Sequence, residues 1–254
     1  MNEYPNVSIL TPTYNRKTFI PLITYNLQNM DYDKTKLEWC ILDDGTEKMF
    51  ETKEDLDKMK KSIYPIKINY VYNKNKKTIG VKRNLLVKQA KYKTCIMMDD
   101  DDIYFDSYIK HSVETLKMSK SGLVGTNHMV FIYPNHNYNM AKLECGSKRQ
   151  IHEATMCFTK KYFNSMPGFA KKGCGEGANM IDFNEKNSNY TDIFKCMVCF
   201  CHKGNSFNKE QFYKNKLDTE LGNKEYIKIL EDISGIKYDF DLDSSDDEET
   251  LSTE

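Results

Sequence analysis

Short apolar runs that stop at acidic or polar residues recur along the first 105 positions of the chain. Val7 to Leu10 stops at Thr11-Pro12, Leu37 to Leu42 stops at Asp43-Asp44, and Cys95 to Met98 stops at four consecutive aspartates, Asp99 to Asp102. Short apolar runs bounded by turn residues are typical of strands that are buried on both faces. A further run over 66–72 alternates apolar and polar residues and predicts another strand.

The segments between these runs predict helices over about 17–30, 47–62 and 79–91. Strands that alternate with helices indicate an α/β fold with a parallel, doubly wound sheet. In such a sheet the carboxyl ends of the strands meet at one edge, where ligands bind. We therefore expect the polar residues after positions 10, 42 and 98 to lie in one crevice.

The four aspartates, Asp99 to Asp102, indicate a divalent-cation site. Carboxylates crowded at one point repel one another unless a cation or hydrogen-bond donors offset that repulsion. A solvated acidic loop is the alternative, since it is the usual fate of a charge run. The position at the end of a buried strand favours the cation site.

Phosphate chemistry explains the other polar positions at this edge. A bound nucleoside diphosphate needs a cation, an acid that accepts hydrogen bonds from the ribose or base, and basic groups for the phosphates. Asp43 or Asp44 supplies the acid, and Lys82-Arg83 on the first turn of the 79–91 helix supply the basic groups. The alternatives are a plain Asp-Asp-Gly turn and an ordinary exposed helix turn.

Composition is that of a soluble globular protein of 254 residues, with 39% apolar residues. Neither a membrane-spanning run nor a signal peptide is evident, so we expect a soluble, cytoplasmic protein. Residues 239–254 hold eight acids and no Lys or Arg, which leaves 37 basic against 29 acidic residues elsewhere. This acidic end is expected to be a disordered tail. The basic remainder suits phosphates, nucleic acid or anionic surfaces as partners, and of these we predict a phosphorylated small molecule and no nucleic acid.

Four blocks resemble one known family in order and spacing: SILTPTYNR, ILDDGT, GVKRN and MMDDDD. They are similar to the nucleotide-sugar-binding half of GT-A fold glycosyltransferases, the family-2 group especially, and the resemblance covers roughly residues 5–205. It implies a mostly parallel Rossmann-like sheet flanked by helices, with a catalytic domain over 1–210. The donor half would cover about 1–105 and the acceptor half about 106–210.

The resemblance also implies roles for single residues. Thr11, Pro12 and Tyr14 would line the nucleotide pocket, with Lys82 and Arg83 near the diphosphate. The run Asp99-Asp100-Asp101 would be the DxD element, in which Asp101 is the first choice as metal ligand and Asp99 the second. The metal would be Mn²⁺ or Mg²⁺.

The acceptor side is expected around the glycine-rich loop 169–177 and the predicted strands 125–132 and 154–158. The family usually has Glu-Asp where this chain has Glu176-Gly177, and the family's aspartate is often the base. Either Glu176 or Asp182 would then deprotonate the acceptor hydroxyl. The alternative for Glu176 is an acid at a helix N-terminus, stabilised by the helix dipole. His152 is a possible acceptor contact.

Cys196 to His202 has the look of a zinc knuckle, but no second ligand cluster matches it, and its alternating apolar residues favour a strand with structural cysteines. His202-Lys203-Gly204-Asn205-Ser206 resembles the family's late His-x-x-Asn-Ser/Thr element, whose histidine can complete the metal shell. An imidazole beside carboxylates suits manganese. The region after about 210 is predicted to be helical over 208–233, forming an extension (211–238) that makes a homodimer contact or covers the sheet.

The function predicted from these features is metal-dependent, inverting transfer of a sugar from a nucleoside diphosphate sugar, UDP-linked by preference, to a glycan or other hydroxyl acceptor. A sugar-phosphate nucleotidyltransferase is a rival, although its glycine-rich phosphate loop is missing after the first strand. A nucleotide-sugar or glycan-binding module without activity is the other rival. That alternative without activity stays open because Gly177 stands where the family usually has an aspartate.

Overall fold

The computed structural model describes residues 3–119, 121–144, 150–181, 190–205 and 208–239. Strands and helices alternate through the first half, as the hydrophobic pattern predicts. The strands are β1 Val7–Thr13, β2 Leu37–Asp43, β3 Lys67–Tyr72, β4 Thr94–Met97, β5 Ile103–Tyr104, β6 Leu123–Val124, β7 His128–Tyr133, β8 Asn139–Glu144, β9 Cys157–Thr159 and β10 Met197–Phe200. The helices are α1 Ile20–Asn29, α2 Lys53–Ser62, α3 Ile79–Gln89, α4 Tyr108–Met118, α5 Lys160–Ser165 and α6 Lys224–Ser234.

The main sheet has six strands in the order β3-β2-β1-β4-β9-β6. The first four are parallel, whereas β9 runs antiparallel to both of its neighbours. The predicted mostly parallel α/β sheet is therefore confirmed. Since the chain adds β2 and β3 on one side of β1 and β4 on the other, the strand order reverses between β1 and β4, which is where such sheets bind ligands.

A smaller sheet in the order β5-β10-β7-β8 lies beside the carboxyl edge of the main sheet. The Cys196–Cys201 run forms β10, as a strand rather than a zinc knuckle, and Cys199 is a buried free thiol. The predicted strands 125–132 and 154–158 are shifted in the structure. Residues Glu153–Thr155 form a short 3-10 helix instead, and β7 begins three residues later than predicted, at His128.

The C-terminal segment is part of the main core. The helix predicted over 208–233 is wrong for its first half, because the structure has only a 3-10 turn, Glu210–Phe212, before α6. Leu230 is fully buried in the core that also contains β1 and β2, and the Tyr226 hydroxyl donates to Tyr104 O at 2.8 Å. In the described residues no helix has the length and apolar character needed to cross a membrane.

Helix α3 packs closely against the segment 170–176 through Gly80. A Cβ added at Gly80 would lie 1.8 Å from Ala170 O and 3.0 Å from Glu176 Cβ, so only glycine allows this approach. The Gly80 N–H donates to Lys172 O at 3.3 Å. The close contact brings Arg83, one turn further along α3, next to Glu176.

Candidate functional site

A cavity of about 930 Å³ opens at the carboxyl edge of the main sheet, where β1 and β4 end. Its wall includes Pro12, Tyr14, Lys82, His152 and the aspartates 99–102. A second cavity of about 590 Å³ adjoins it and contains His202. Both cavities are lined by Asn15, Arg16, Gly204, Asn205 and Lys209. The polar residues that follow β1 and β4 thus share one crevice, whereas Asp43 and Asp44, which were predicted to lie there as well, do not line it.

The Asp101 carboxylate lies on the wall of the larger cavity and contacts His202 and Arg16, which line the smaller one. Its Oδ2 lies 3.0 Å from His202 Nε2 and 3.1 Å from Arg16 Nη2. Burial opposes the charge on this carboxylate, but the hydrogen bond from His202 and the positive charge of Arg16 lower the pKa of Asp101 to about 2. Asp101 is therefore an anion around which positive and hydrogen-donating groups gather.

The pairing of β5 with β10 explains why Asp101 and His202, 101 positions apart in sequence, meet here. Ile103 lies opposite Val198 in this antiparallel pair, so the aspartate loop before β5 faces the loop after β10. The Phe200 N–H donates to Asp102 Oδ1 at 3.1 Å, which ties the two loops together. His202 is then fixed within its own loop, because its N–H donates to Asn205 Oδ1 at 2.8 Å.

The donor set around Asp101 fits a divalent cation with most of its coordination left open. Among the described residues no group of three or more His, Cys, Asp or Glu side chains converges as a metal site. Asp101 is a suitable oxygen ligand, and a buried oxygen of the neighbouring Asp100, Oδ2, has no hydrogen-bond partner among these residues. His202 Nδ1 accepts from Gly204 N–H at 3.1 Å, so Nε2 carries the ring proton and faces Asp101 as a donor. Coordination through Nε2 requires that proton to leave.

Arg83 is buried beneath Asp99 and not on the cavity wall. Its Nη1 and Nη2 donate to the two carboxylate oxygens of Asp99 at 3.0 and 3.1 Å, and its Nε donates to Glu176 Oε1 at 2.9 Å. The pKa of Arg83 is raised despite burial, because both carboxylates stabilise its charge. The structure thus differs from the prediction that Arg83 lies beside the diphosphate: all its nitrogens are already engaged.

The contacts with Arg83 also determine how the carboxylates of Asp99 and Glu176 are presented to the cavity. Asp99 keeps one face toward the cavity, with a side chain that is 20% exposed, while Arg83 holds it in place. Glu176 is only 4% exposed and pairs with Arg83, so its carboxylate is not presented to the cavity as the predicted base requires. The Glu176 backbone also anchors the loop, since Glu176 O accepts from Ala170 N–H at 2.9 Å.

Asp102 is a structural member of the aspartate run. Its side chain accepts from β10, and its backbone oxygen accepts from Asn26 Nδ2 at 2.9 Å. Burial raises the pKa of Asp102 to about 8, although the charge of Lys209 opposes the shift. Burial and the charge of Asp101 likewise raise the pKa of Asp100. The four aspartates thus occupy four different environments.

Asp43 and Asp44 lie behind the cavity wall. Asp43 accepts from Gly45 N–H, Met49 N–H and the Tyr70 hydroxyl at 2.9, 2.7 and 2.7 Å. Asp44 accepts from Lys77 N–H at 2.6 Å and from Lys82 Nζ at 2.8 Å. Since each carboxylate oxygen already has a partner, the predicted direct contact with a ribose or base is not what this geometry shows. Both residues instead position the loops and the lysines around the cavity.

The residues predicted after β1 divide into two groups. Pro12 and Tyr14 line the cavity, and Lys76 Nζ lies 3.8 Å from the centre of the Tyr14 ring. Thr11 is fully buried: its hydroxyl donates to Met98 O at 2.7 Å and accepts from Trp39 Nε1 at 2.8 Å. Thr11 therefore joins β1 to the end of β4 and does not face the cavity.

Arg16 and Lys209 are cavity residues that the sequence prediction missed. Besides Asp101, Arg16 contacts Asp100, with its Nε 3.7 Å from Asp100 Oδ1, and donates to Gly204 O at 2.9 Å. Burial opposes the charge of Lys209, but Asp102 and Asp101 raise its pKa. The position of Arg16 in the sequence could have predicted its place in the cavity, because it directly follows the polar residues that end β1. Lys209 stands in a polar loop, and its position in the sequence predicts nothing of this kind.

The acceptor-side candidates meet around the short 3-10 helix Glu153–Thr155. His152 lines the cavity at the start of this helix, and Glu153 Oε1 accepts from Gly177 N–H at 3.1 Å. Gly177 has no room for a side chain, because a Cβ there would lie 2.5 Å from Glu153 Cγ. The other predicted base, Asp182, lies outside the described residues.

Comparison with known proteins gives matches to one family and one fold. The model described as "Glycosyl transferase family 2" matches residues 8–181. The structure is similar to the mannosyltransferase PcManGT from Pyrobaculum calidifontis, solved in complex with GDP-Man and Mn²⁺, with a TM-score of 0.60, 14% identity, 84% of this chain covered and 60% of that one. No curated protein sequence matches the chain.

A second solved structure with the same fold is that of S. aureus TarS 1-349 in complex with UDP-GlcNAc. It has a TM-score of 0.58 and 16% identity, and the match covers 82% of this chain and 64% of that one. Identities this low establish the GT-A fold and no more. The chain spans 60–64% of the length of these two solved chains.

Proposed function

The chain belongs to glycosyl transferase family 2, and we propose that it transfers a sugar from a nucleoside diphosphate sugar to a hydroxyl group of an acceptor. The observation that carries the proposal is the convergence of His202 and Arg16 on one carboxylate oxygen of Asp101, on the wall of the larger cavity. Such a cluster can hold the charge of a departing diphosphate. Its position beside the β1–β4 reversal is where α/β sheets bind nucleotides.

A divalent cation, Mn²⁺ or Mg²⁺, is part of the proposal. Asp101 is its first ligand, the orphaned Oδ2 of Asp100 is available to it, and His202 joins once Nε2 has lost its proton. When bound, the cation would neutralise the leaving diphosphate as a Lewis acid. PcManGT was solved with Mn²⁺, and this supports the choice of metal to test first.

Arg16 is the proposed basic partner of the diphosphate in place of Arg83. It lines both cavities and is held on Asp101 and Gly204 O, so its guanidinium needs only a small shift to meet an incoming phosphate. Lys82 and Lys209 also line the cavity and add positive charge. Lys82 is oriented by Asp44, which explains how a buried acid can matter without touching the ligand.

Asp99 is the proposed contact for the donor's sugar hydroxyls. The bidentate bond from Arg83 fixes the plane of its carboxylate, and its exposed face borders the cavity. A carboxylate held in advance loses little freedom when it accepts hydrogen bonds from a ligand. Tyr14 and Pro12 would flank the nucleoside end, and a UDP-sugar is the first donor to test. We expect inversion, with the acceptor attacking from the face opposite the leaving group.

The decisive experiment is a donor panel with the purified chain. UDP-, GDP- and dTDP-sugars are incubated with Mn²⁺, Mg²⁺ or a chelator, and release of the nucleoside diphosphate is measured. We expect metal-dependent turnover of at least one donor. If calorimetry shows that a donor binds but no donor is turned over, the alternative of a nucleotide-sugar-binding module without activity is favoured. If no donor binds and none is turned over, the proposal is refuted.

Variants of single aspartates sharpen this experiment. Asp101→Asn keeps the size of the side chain and removes the charge on which the cationic groups converge, so we expect metal-dependent UDP binding to be lost. Asp57→Asn is the matched control, because Asp57 is a surface residue of α2 whose ion pair among the described residues is with Lys60. Retained metal-dependent binding in Asp101→Asn would rule out Asp101 as the ligand.

A further inference from the structure

We propose that His152 accepts the proton of the acceptor hydroxyl during transfer. The inference rests on the proposed function and adds the residue that carries out its proton step. An acceptor oxygen that forms a bond to the sugar must lose its proton, and a group on the cavity wall has to take it. His152 lines that wall, as Asp99 does, and it directly precedes Glu153, whose carboxylate accepts from Gly177 N–H.

Each carboxylate on the wall is held by a partner, buried, or assigned above to the cation. Asp99 is held by Arg83 through both oxygens, and Asp101 faces two cationic or donating groups. Asp100 and Asp102 are only 4% and 5% exposed. The lysine and arginine side chains on the wall carry protons already and cannot accept another.

His152 differs from all of these groups. In the described part of the chain neither of its ring nitrogens has a hydrogen-bond or ion-pair partner, whereas its backbone is fully engaged. The His152 N–H donates to Thr126 O at 2.8 Å, and His152 O accepts from Thr155 N–H at 2.9 Å. Burial lowers the pKa of the ring to about 4, so the imidazole is neutral and has a free lone pair at physiological pH.

The turn that carries His152 is also fixed relative to Asp99. The Tyr104 hydroxyl accepts from Asp99 N–H at 2.8 Å and donates to Ala154 O at 3.1 Å. The Tyr108 hydroxyl donates to the same Ala154 oxygen at 3.2 Å. A tyrosine hydroxyl therefore links the backbone of Asp99 to the backbone of the turn that begins at His152, which helps to preorganise the two residues for one reaction.

Sugar transfer breaks one bond at the anomeric carbon, forms another and moves one proton. The acceptor oxygen forms a bond to the anomeric carbon, and its proton passes to an imidazole nitrogen of His152. The bond from the anomeric carbon to the diphosphate oxygen breaks, and its electron pair leaves with the diphosphate. The imidazolium then returns its proton to solvent. Water in place of the acceptor gives donor hydrolysis by the same transfer, so the proposal can be tested without knowing the acceptor.

The test compares the full chain with His152→Gln and His152→Ala on the donor that the panel identifies. We expect kcat for donor hydrolysis to fall about 100-fold or more, as for loss of a general base, while UDP affinity with Mn²⁺ changes less than about threefold. Added imidazole should restore turnover in His152→Ala. His136→Gln is the control, because His136 pairs with Glu210 outside the larger cavity.

Each other result counts against the proposal. Three outcomes would overturn the assignment to His152 and leave the proposed function intact. They are turnover within about tenfold of the unaltered chain, a parallel loss of UDP affinity, and a His152→Ala variant that imidazole fails to restore. In that case Asp182→Asn should show the loss instead. An unaltered chain that turns over no donor overturns both proposals together.

Discussion

Arg83 joins Asp99 to Glu176: its Nε lies 2.9 Å from Glu176 Oε1, and its terminal nitrogens lie 3.0 and 3.1 Å from the oxygens of Asp99. The guanidinium is only 2% exposed, so one buried cation pairs with two carboxylates, of which Glu176 is buried and Asp99 faces the cavity. Glu176 thereby acts on the cavity through Arg83, as a positioning residue. Gly80 permits this arrangement by letting α3 approach the loop before Glu176.

Substitution of Glu176 distinguishes a positioning role from a catalytic one. Glu176→Gln keeps an oxygen that accepts from Arg83, so we expect turnover to fall less than about tenfold, whereas a general base would lose about 100-fold or more. Glu176→Ala removes the acceptor of Arg83 Nε while the bond to Asp99 remains, and it should reduce the free energy of unfolding by about 1 to 3 kcal/mol, the cost of an unpaired buried donor. Chemical denaturation and steady-state turnover measure the two effects. A Gln variant with background activity would identify Glu176 as the base.

Gly80→Ala tests the close approach of α3. The new methyl group would meet a backbone oxygen, Ala170 O, at 1.8 Å and would lie 3.0 Å from Glu176 Cβ, so α3 and the loop have to move apart. We expect a stability loss of about 1 to 3 kcal/mol, as for overpacking in a core, together with lower turnover. Gly173→Ala is the stability control, because a Cβ at Gly173 meets nothing within 4 Å. Equal thermal stability of the two variants would contradict the prediction.

The sequence predicted the sheet well because burial on both faces leaves a direct trace in the chain. The short apolar runs that form β1, β2 and β4 are separated by predicted helices, and this arrangement is typical of buried parallel strands. The segment after 208 was harder, since Asn, Lys and Glu there suit a helix or a loop equally. Its loop form depends on distant partners, such as the contact of Lys216 with Ala141, that no local pattern reveals.

The candidate site was predicted in outline and not in its hydrogen bonds. The aspartate run, Tyr14 and His202 do border the two cavities. Asp43 and Arg83 were assigned to the ligand because sequence gives a charge and a strand end, but not the direction of a side chain. That direction follows from partners such as Tyr70, which is 27 positions away and on another strand.

Tyr70→Phe tests whether Asp43 serves the fold or the ligand. The substitution removes the hydroxyl that donates to Asp43 Oδ2 at 2.7 Å and leaves the ring in place. A hydrogen bond to a charged group contributes about 1.5 kcal/mol or more, so we expect a loss of about that size in the free energy of unfolding. UDP affinity should change less than about twofold. A large loss of UDP affinity with an unchanged free energy of unfolding would indicate that Asp43 contacts the ligand.

Leu230→Ala tests the place of α6 in the core. Leu230 is fully buried, and truncation of such a leucine costs about 2 to 5 kcal/mol. Because the core it joins also contains β1 and β2, we expect one cooperative unfolding transition at a lower denaturant concentration. Lys228→Ala, on the exposed face of the same helix, should leave the midpoint nearly unchanged. A separate early transition for α6 would mean that it is an appendage.

The pH dependence of stability offers a test of the environment of His152. Burial, Lys209 and Arg83 lower its pKa to about 4, while Asp99 and Glu176 act in the opposite sense. An unfolded histidine takes up a proton near pH 6.5, and the folded chain does so only near pH 4, so His152 should destabilise the fold increasingly as the pH falls between these values. The stability of the unaltered chain relative to His152→Gln should therefore decline from pH 7 to pH 4.5 in denaturant titrations. A difference that stays constant over this range would show that the imidazole is freely protonated in the folded chain.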